Sequence, residues 1–172
     1  MMLITEEYRE QNKQLHAKSE HYGTSGNMWA PVVRQLSESG RLPILDYGCG
    51  KGTLKTALGL AYKVTEYDPA IEGKDTPPEP HPVVVCSDVL EHIEPECLEA
   101  VIDDLARVTT ETSLFVVHTG PALKTLPDGR NAHLIQQGPT FWLPLILRRF
   151  EPLRMEWVEG KVLWSINRPL KS

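Results

Sequence analysis

Carboxylates and glycines at fixed places suggest chemistry at a small charged ligand. In ILDYGCGKG, residues 44–52, glycines at 48, 50 and 52 follow an apolar pair and Asp46. Side chains there would keep a ligand away from the backbone; glycine removes that block and permits positive φ. Backbone N–H groups and the helix N-terminus expected at Thr53 favour an anionic group such as a carboxylate or phosphate. A tight strand–helix turn without a ligand is the alternative, and three glycines behind an aspartate argue against it more strongly than a lone GxGxxG would.

The spacing departs from the dinucleotide pattern, because position 53 is threonine. Asp46 would repel a pyrophosphate yet suits an ammonium group, so the ligand should carry both charges, as an amino acid moiety does. Asp68 ends the next expected strand, 20 residues beyond Gly48, where an acid that binds ribose hydroxyls is expected. An amino acid joined to a nucleoside describes S-adenosylmethionine.

These residues need elements to hold them. LPILDYG reads as a buried parallel strand, GTLKTALGLA as the helix behind the glycines, and YKVTEYD as a second strand. PAIEGKDTPPEPHP has five prolines in fourteen residues, which no helix crosses easily. VVVCSD is a third strand, and ECLEAVIDDLARVT has helical apolar spacing. LFVVHT is a fourth strand. The long irregular stretch PALKTLPDGRNAHLIQQG reads as a functional loop. PTFWLPLILRRF reads as a helix with a possible kink at Pro144, and LRMEWVEGKVLWSINR as a hairpin around Glu159-Gly160. Before all of these, residues 5–19 are helix-compatible. MWAPVVRQLSES follows as an amphipathic helix with Pro31 in its first turn. This order predicts an α/β fold, a mostly parallel sheet with helices on both faces and an antiparallel C-terminal hairpin. A single domain over 1–172 is expected, with 1–40 as an N-terminal helical cap and 41–172 as the Rossmann-like core.

ILDYGCGKG, VTEYDPA and VVVCSDVLEHIEPE together resemble class I S-adenosylmethionine-dependent methyltransferases over roughly residues 40–120. CSDVLEHI is similar to the corresponding stretch of ubiquinone-type O-methyltransferases and small-RNA 2'-O-methyltransferases, and the whole chain resembles short bacterial and phage methyltransferases. The resemblance implies that Asp46, Gly48, Cys49 and Gly50 hold the methionine end of the cofactor, and that Asp68 takes the ribose. Tyr67 or Pro69 would touch adenine. Ser87, Asp88 and Val89 would line the far side, with Tyr22 and Ser25 closing over it. The family has a further helix and strand between the ribose-binding acid and the strand ending in Asp88. Only the proline-rich segment stands there, which implies a sheet shortened between family strands 2 and 4 and a more open adenine pocket.

For the chemistry, a general base that takes the proton of an O–H acceptor contributes about 10²–10⁴-fold. His133, His92 and His118 are the candidates, by their position in the loops after the third and fourth strands. In the resembling O-methyltransferases a divalent metal is held by E-x-x-E-H and a later histidine. The matching set is Asp88, Glu91, His92 and His133, with His118 as the alternative later histidine; Mg²⁺, Mn²⁺ and Zn²⁺ all suit such donors. Glu91 and His92 as mere helix-orienting residues are the plainer reading. Arg130 could grip an anionic acceptor bidentately, Asn131 lies beside it, and Trp142 or Trp29 could stack on a flat one.

Composition bounds the partners. With 18 Lys and Arg against 23 Asp and Glu, the formal charge is −5, which argues against nucleic acid. A small-molecule acceptor is expected, although a metal-assisted RNA-terminal 2'-O-methyltransferase and a non-enzymatic cofactor-binding protein are alternatives. No secretory pattern is visible, FWLPLIL is too short to span a bilayer, and three cysteines without CxxC spacing read as reduced cytoplasmic thiols.

Overall fold

The computed structural model describes residues 2–19 and 22–170. Helix α1 (Glu6–Lys18) comes first, then a 3-10 turn (Ser25–Trp29) running into α2 (Ala30–Leu36). The core alternates: β1 (Ile44–Tyr47), α3 (Thr53–Leu58), β2 (Val64–Tyr67), β3 (His81–Ser87), α4 (Leu98–Val108) and β4 (Thr109–His118). Helix α5 (Pro139–Leu147) and the strands β5 (Phe150–Val158) and β6 (Val162–Pro169) close the order.

One six-stranded sheet has the order β2-β1-β3-β4-β6-β5. β1 pairs in parallel with β2 and β3, and β3 in parallel with β4. β6 is antiparallel to both β4 and β5. The turn between β5 and β6 places Glu159 and Gly160 at φ 51° and 67°, the two left-handed positions a tight hairpin needs.

Period-two alternation splits the core into two layers. Leu45, Val84, Cys86 and Phe115 face α4 and α5, against Leu98, Val101, Ile102, Leu105, Trp142 and Ile146. Ile44, Val83, Val85, Leu114 and Val116 face α2 and α3, against Ala30, Val33, Leu54 and Leu58. Both faces of β3 are therefore covered, which explains its unbroken Val-rich sequence. Arg148 and Arg149 follow α5 and pair with Glu99 and Asp103 of α4, so they tie the two helices together.

The shortening expected from the proline-rich segment is present. Residues 68–80 form turns and irregular chain only, and β2 is an edge of the sheet. The backbone carbonyl of Lys74 accepts from Asp68 N at 2.9 Å. Lys74 Nζ donates to Glu66 at 3.0 Å and to the Gly50 carbonyl at 3.2 Å. This short return fixes the chain just after Asp68.

Candidate active site

The parallel strands β1, β2 and β3 end along one rim, and the loops that leave them meet there. Gly48 and Gly50 have φ 76° and 50°, a region that L side chains rarely adopt. The space above them is taken by the protein itself. A Cβ on Gly48 would lie 2.4 Å from Val89 Cγ2, and one on Gly50 would lie 2.6 Å from the Gly23 carbonyl oxygen. The segment around Gly23 thus crosses the glycine turn directly, and Lys51 N donates to Gly23 O at 2.9 Å. Gly48→Ala combines a steric clash with an unfavourable φ, at a cost of roughly 1–3 kcal/mol. Thermal melts should fall by about 3–10 °C, and the double variant with Val89→Ala should regain part of the loss. An unchanged midpoint for Gly48→Ala would contradict the packing described.

A cavity of about 450 Å³ opens beside this turn, a size normal for a small-molecule site. Gly48, Gly50, Asp68, Pro69, Asp88, Val89, Tyr22 and Ser25 line it, as do His92, His118 and His133. Asp68 accepts from Gly50 N at 3.1 Å through Oδ2 and from Ala70 N at 3.0 Å through Oδ1. Each carboxylate oxygen keeps a further lone pair.

The rings make a connected row: His16–Tyr22 at 4.7 Å, Tyr22–His92 at 5.7 Å, His92–His133 at 4.7 Å and His133–His118 at 5.9 Å between centroids. His92 Nδ1 bonds the Ala132 carbonyl at 2.8 Å, and His133 Nδ1 bonds the Gly120 carbonyl at 2.6 Å. A carbonyl only accepts, so both Nδ1 atoms carry a proton, and in the neutral ring the Nε2 atom is the free lone pair. Asp88 stands beside them at φ 59°, a strained conformation of the kind that collects at functional sites. Ser25 Oγ donates to its Oδ2 at 2.9 Å, and His118 Nε2 lies 3.5 Å from its Oδ1. Burial works against ionisation of Asp88, but hydrogen bonds from the Glu91 carboxyl and the Ser25 hydroxyl and the facing His118 hold it below the ordinary carboxyl range. Burial pushes His92 down to about 4, so it is neutral at pH 7.

Several sequence expectations need correction. Glu91 does not share a site with His92 and His133: donor atoms of Asp88, His92 and His133 lie within 4.8 Å of one another, whereas Glu91 groups with Asp88 and His118. Glu91 is 0% exposed. Its Oε1 accepts from His118 N at 2.6 Å, and its Oε2 has no partner. Burial, with the Asp88 charge, raises its carboxyl well above the usual range, and it stands behind the site. Trp142 is 0% exposed in the α4–α5 core and donates its Nε1–H to the Gln137 carbonyl at 2.8 Å; it cannot stack on an acceptor. Arg130 folds back on Asp128, with both its Nε and a terminal nitrogen 2.7 Å from that carboxylate, and lies outside the cavity wall. Asn131 bonds both backbone groups of Ala122 at 2.9 Å and accepts from His133 N at 2.9 Å, so it shapes the loop that carries His133. Asp46, Cys49 and Ser87 are buried under the turn and outside the wall. Trp29 packs against Trp164 at 6.0 Å on the other face of the sheet.

The structure also contributes residues that the sequence reading missed. Tyr8, Asn12 and His16 recur every fourth position on α1 and line the cavity. Tyr8 O–H donates to the His92 carbonyl, and Tyr22 O–H donates to Asn12 Oδ1 at 2.9 Å. Thr5 holds the start of the helix in place by donating from N and Oγ1 to the two Glu94 oxygens at 2.9 and 2.7 Å. The i, i+4 spacing was the available signal, but its members are polar or aromatic and read as a solvated face.

Solved structures share this architecture. A Burkholderia thailandensis 1,6-didemethyltoxoflavin-N1-methyltransferase, with S-adenosylhomocysteine and 1,6-didemethyltoxoflavin bound, superposes with a TM-score of 0.70 at 14% identity, over 99% of this chain and 92% of that one. The N-methyltransferase NodS of Bradyrhizobium japonicum, with S-adenosylhomocysteine, gives 0.65 at 12% identity over 95% and 100%. The fold is that of class I S-adenosylmethionine-dependent methyltransferases. Magnesium protoporphyrin IX methyltransferase of Synechocystis, also with S-adenosylhomocysteine, gives 0.58 at 17% identity over 94% and 84%. No protein-family model matches the chain, and no curated protein matches its sequence.

Within this methyltransferase fold Asp46 occupies the end of β1, paired in register with Glu66. It is 4% exposed. Burial, then the Glu66 charge, raises it from 3.8 to about 7. Between about pH 4 and 7 the unfolded chain ionises at Asp46 while the folded chain keeps the proton, so stability falls as pH rises and the full penalty applies above 7. Asp46→Asn removes that penalty, worth at most roughly 4 kcal/mol. Its gain in melting midpoint over the unaltered chain should be larger at pH 8 than at pH 4. Equal gains at both would contradict the assignment. Among the described residues no helix is long and apolar enough to cross a membrane.

Proposed function

We propose that residues 1–172 form one S-adenosylmethionine-dependent methyltransferase domain that O-methylates a small molecule in the cytoplasm. The observation that carries this reading is the juxtaposition, in one cavity, of a carboxylate with two free lone pairs at Asp68 and two imidazoles, anchored at Nδ1, whose donor atoms lie within 4.8 Å of that of Asp88. The first suits a vicinal diol such as ribose, and the second suits an acidic O–H. Tyr67 and Pro69 flank Asp68 in the chain, and with Leu3, Ile4 and Ile93 they supply apolar wall to the cavity for a flat base. The same-fold methyltransferases with bound S-adenosylhomocysteine support the cofactor, and those named for toxoflavin and protoporphyrin support a small acceptor. The buried free cysteines at 49, 86 and 97 are consistent with a reducing compartment.

When bound, the cofactor supplies an electrophilic methyl group on a sulfonium, and holding the acceptor in line with it can lower the barrier by roughly 7–11 kcal/mol. His133 takes the acceptor proton at Nε2, its ring fixed by the Gly120 carbonyl. His92 is a weaker base, because burial holds it at about 4, far from the working pH that favours proton transfer. Its Nε2 and the Asp88 carboxylate orient the acceptor.

A divalent cation fits the same donors. Asp88, His92 and His133 would hold it. Their Nδ1–H groups sit on backbone carbonyls as metal-ligating histidines usually do, and two imidazoles favour Zn²⁺ or Mn²⁺ over Mg²⁺. Bound there, it would lower the pKa of the acceptor hydroxyl.

The test is an extract-wide assay with methyl-labelled cofactor, with and without chelator. The expected product is a labelled small-molecule ether or ester. Loss of labelling with chelator assigns the metal, and unchanged labelling leaves His133 as sole base. Label on nitrogen or carbon, or no labelled product, would contradict O-methylation.

A further inference from the structure

The ring that opens the row, His16, has no part in the chemistry above, and its surroundings point to a ligand. It lies in the last turn of α1, on a helix fixed at its start by the Thr5–Glu94 pair and along its length by Tyr8 and Asn12. The ring packs on bare backbone at Gly23, where a Cβ would come 2.8 Å from His16 Cε1. Its Nδ1 is enclosed without a partner. Its Nε2 faces Asp68 Oδ2 at 4.0 Å, too far for a hydrogen bond. The carboxylate favours the tautomer with the proton on Nε2. One hydroxyl oxygen at roughly 2.7–3.0 Å from each atom spans that gap. A hydroxyl also has the matching valence, since it donates once and accepts twice.

Resting on the cofactor reading above, we propose that His16 completes the sugar site. Its Nε2–H donates to one ribose hydroxyl, and that hydroxyl donates to Asp68 Oδ2. The second hydroxyl donates to Oδ1. In this fold the sugar is then gripped from both sides: by the end of β2 and by a helix that lies outside the sheet. The pairing places His16 where the shortened chain after Asp68 contributes only the turn at 69–74. It makes the N-terminal helix a part of cofactor recognition.

The experiment measures affinity of the full chain for S-adenosylhomocysteine and for its 2'-deoxy and 3'-deoxy analogues, with His16→Ala and His16→Gln beside the unaltered protein. Loss of one hydrogen bond should weaken binding of S-adenosylhomocysteine to His16→Ala about tenfold. The same variant should bind one of the two deoxy analogues, the one lacking the bridged hydroxyl, as well as the unaltered protein does. His16→Gln, which keeps an N–H donor, should recover part of the loss. An equal loss for all three ligands would make His16 a packing residue and overturn the proposal, as would no loss at all. Failure of the unaltered protein to bind S-adenosylhomocysteine would remove the cofactor reading itself, an outcome separate from any effect of the substitution.

Discussion

His133→Ala lowers turnover of the identified acceptor about 10²–10⁴-fold, the range of a positioned base, and leaves affinity for S-adenosylhomocysteine within about twofold. The large effect follows from the ring's anchoring. Gly120 O takes the Nδ1 proton, so only Nε2 is free, and no rotation of water replaces a fixed lone pair at that place. The ring is 8% exposed, and alanine leaves space without stranding a buried charge. His133→Gln separates roles, because glutamine fills the space and can orient an acceptor but cannot take its proton. Single-turnover rates with saturating cofactor are the measurement. Full turnover in either variant at neutral pH would remove His133 from the reaction and move the proton transfer to His118 or His92.

Asp68→Asn lowers affinity for S-adenosylhomocysteine about a hundredfold, since two hydrogen bonds to a charged acceptor at roughly 1.5–3 kcal/mol each are weakened. The amide keeps one accepting oxygen, so either Gly50 N or Ala70 N loses its partner. A fall of about 1–3 kcal/mol in stability accompanies the change. Comparing folded variants by calorimetry well below their melting midpoint separates the two effects. An affinity within threefold of the unaltered chain would show that Asp68 serves the turn at 69–74 and not a ligand.

The sheet was legible because its strands carry little ambiguity. VVVCS is buried on both faces, and Glu159-Gly160 is short enough to allow only a tight turn. The missing strand was legible too, since prolines between Asp68 and His81 exclude a helix. The cluster of Asp88, His92, His118 and His133 was nameable because each follows a strand whose end is fixed by apolar pattern. Its internal grouping was not, because Glu91 and His92 are adjacent in sequence yet the first bonds His118 N and the second the Ala132 carbonyl. Trp142 and Asn131 misled for opposite reasons. An aromatic near a polar loop looks like a stacking platform until helix packing buries it. A polar side chain in a loop looks like a contact until its own backbone claims it. The contribution of α1 was hidden most thoroughly, because Thr5 and Glu94 meet across 89 residues of sequence.

Every role proposed above depends on S-adenosylmethionine binding in the cavity beside the glycine turn. Isothermal titration of the full chain with S-adenosylhomocysteine tests it most directly. Saturable binding of one molecule per chain is expected, weakened about a hundredfold in Asp68→Asn and not matched by NADH or ATP. Silence with S-adenosylhomocysteine, together with saturable uptake of either nucleotide by the folded protein, would contradict it.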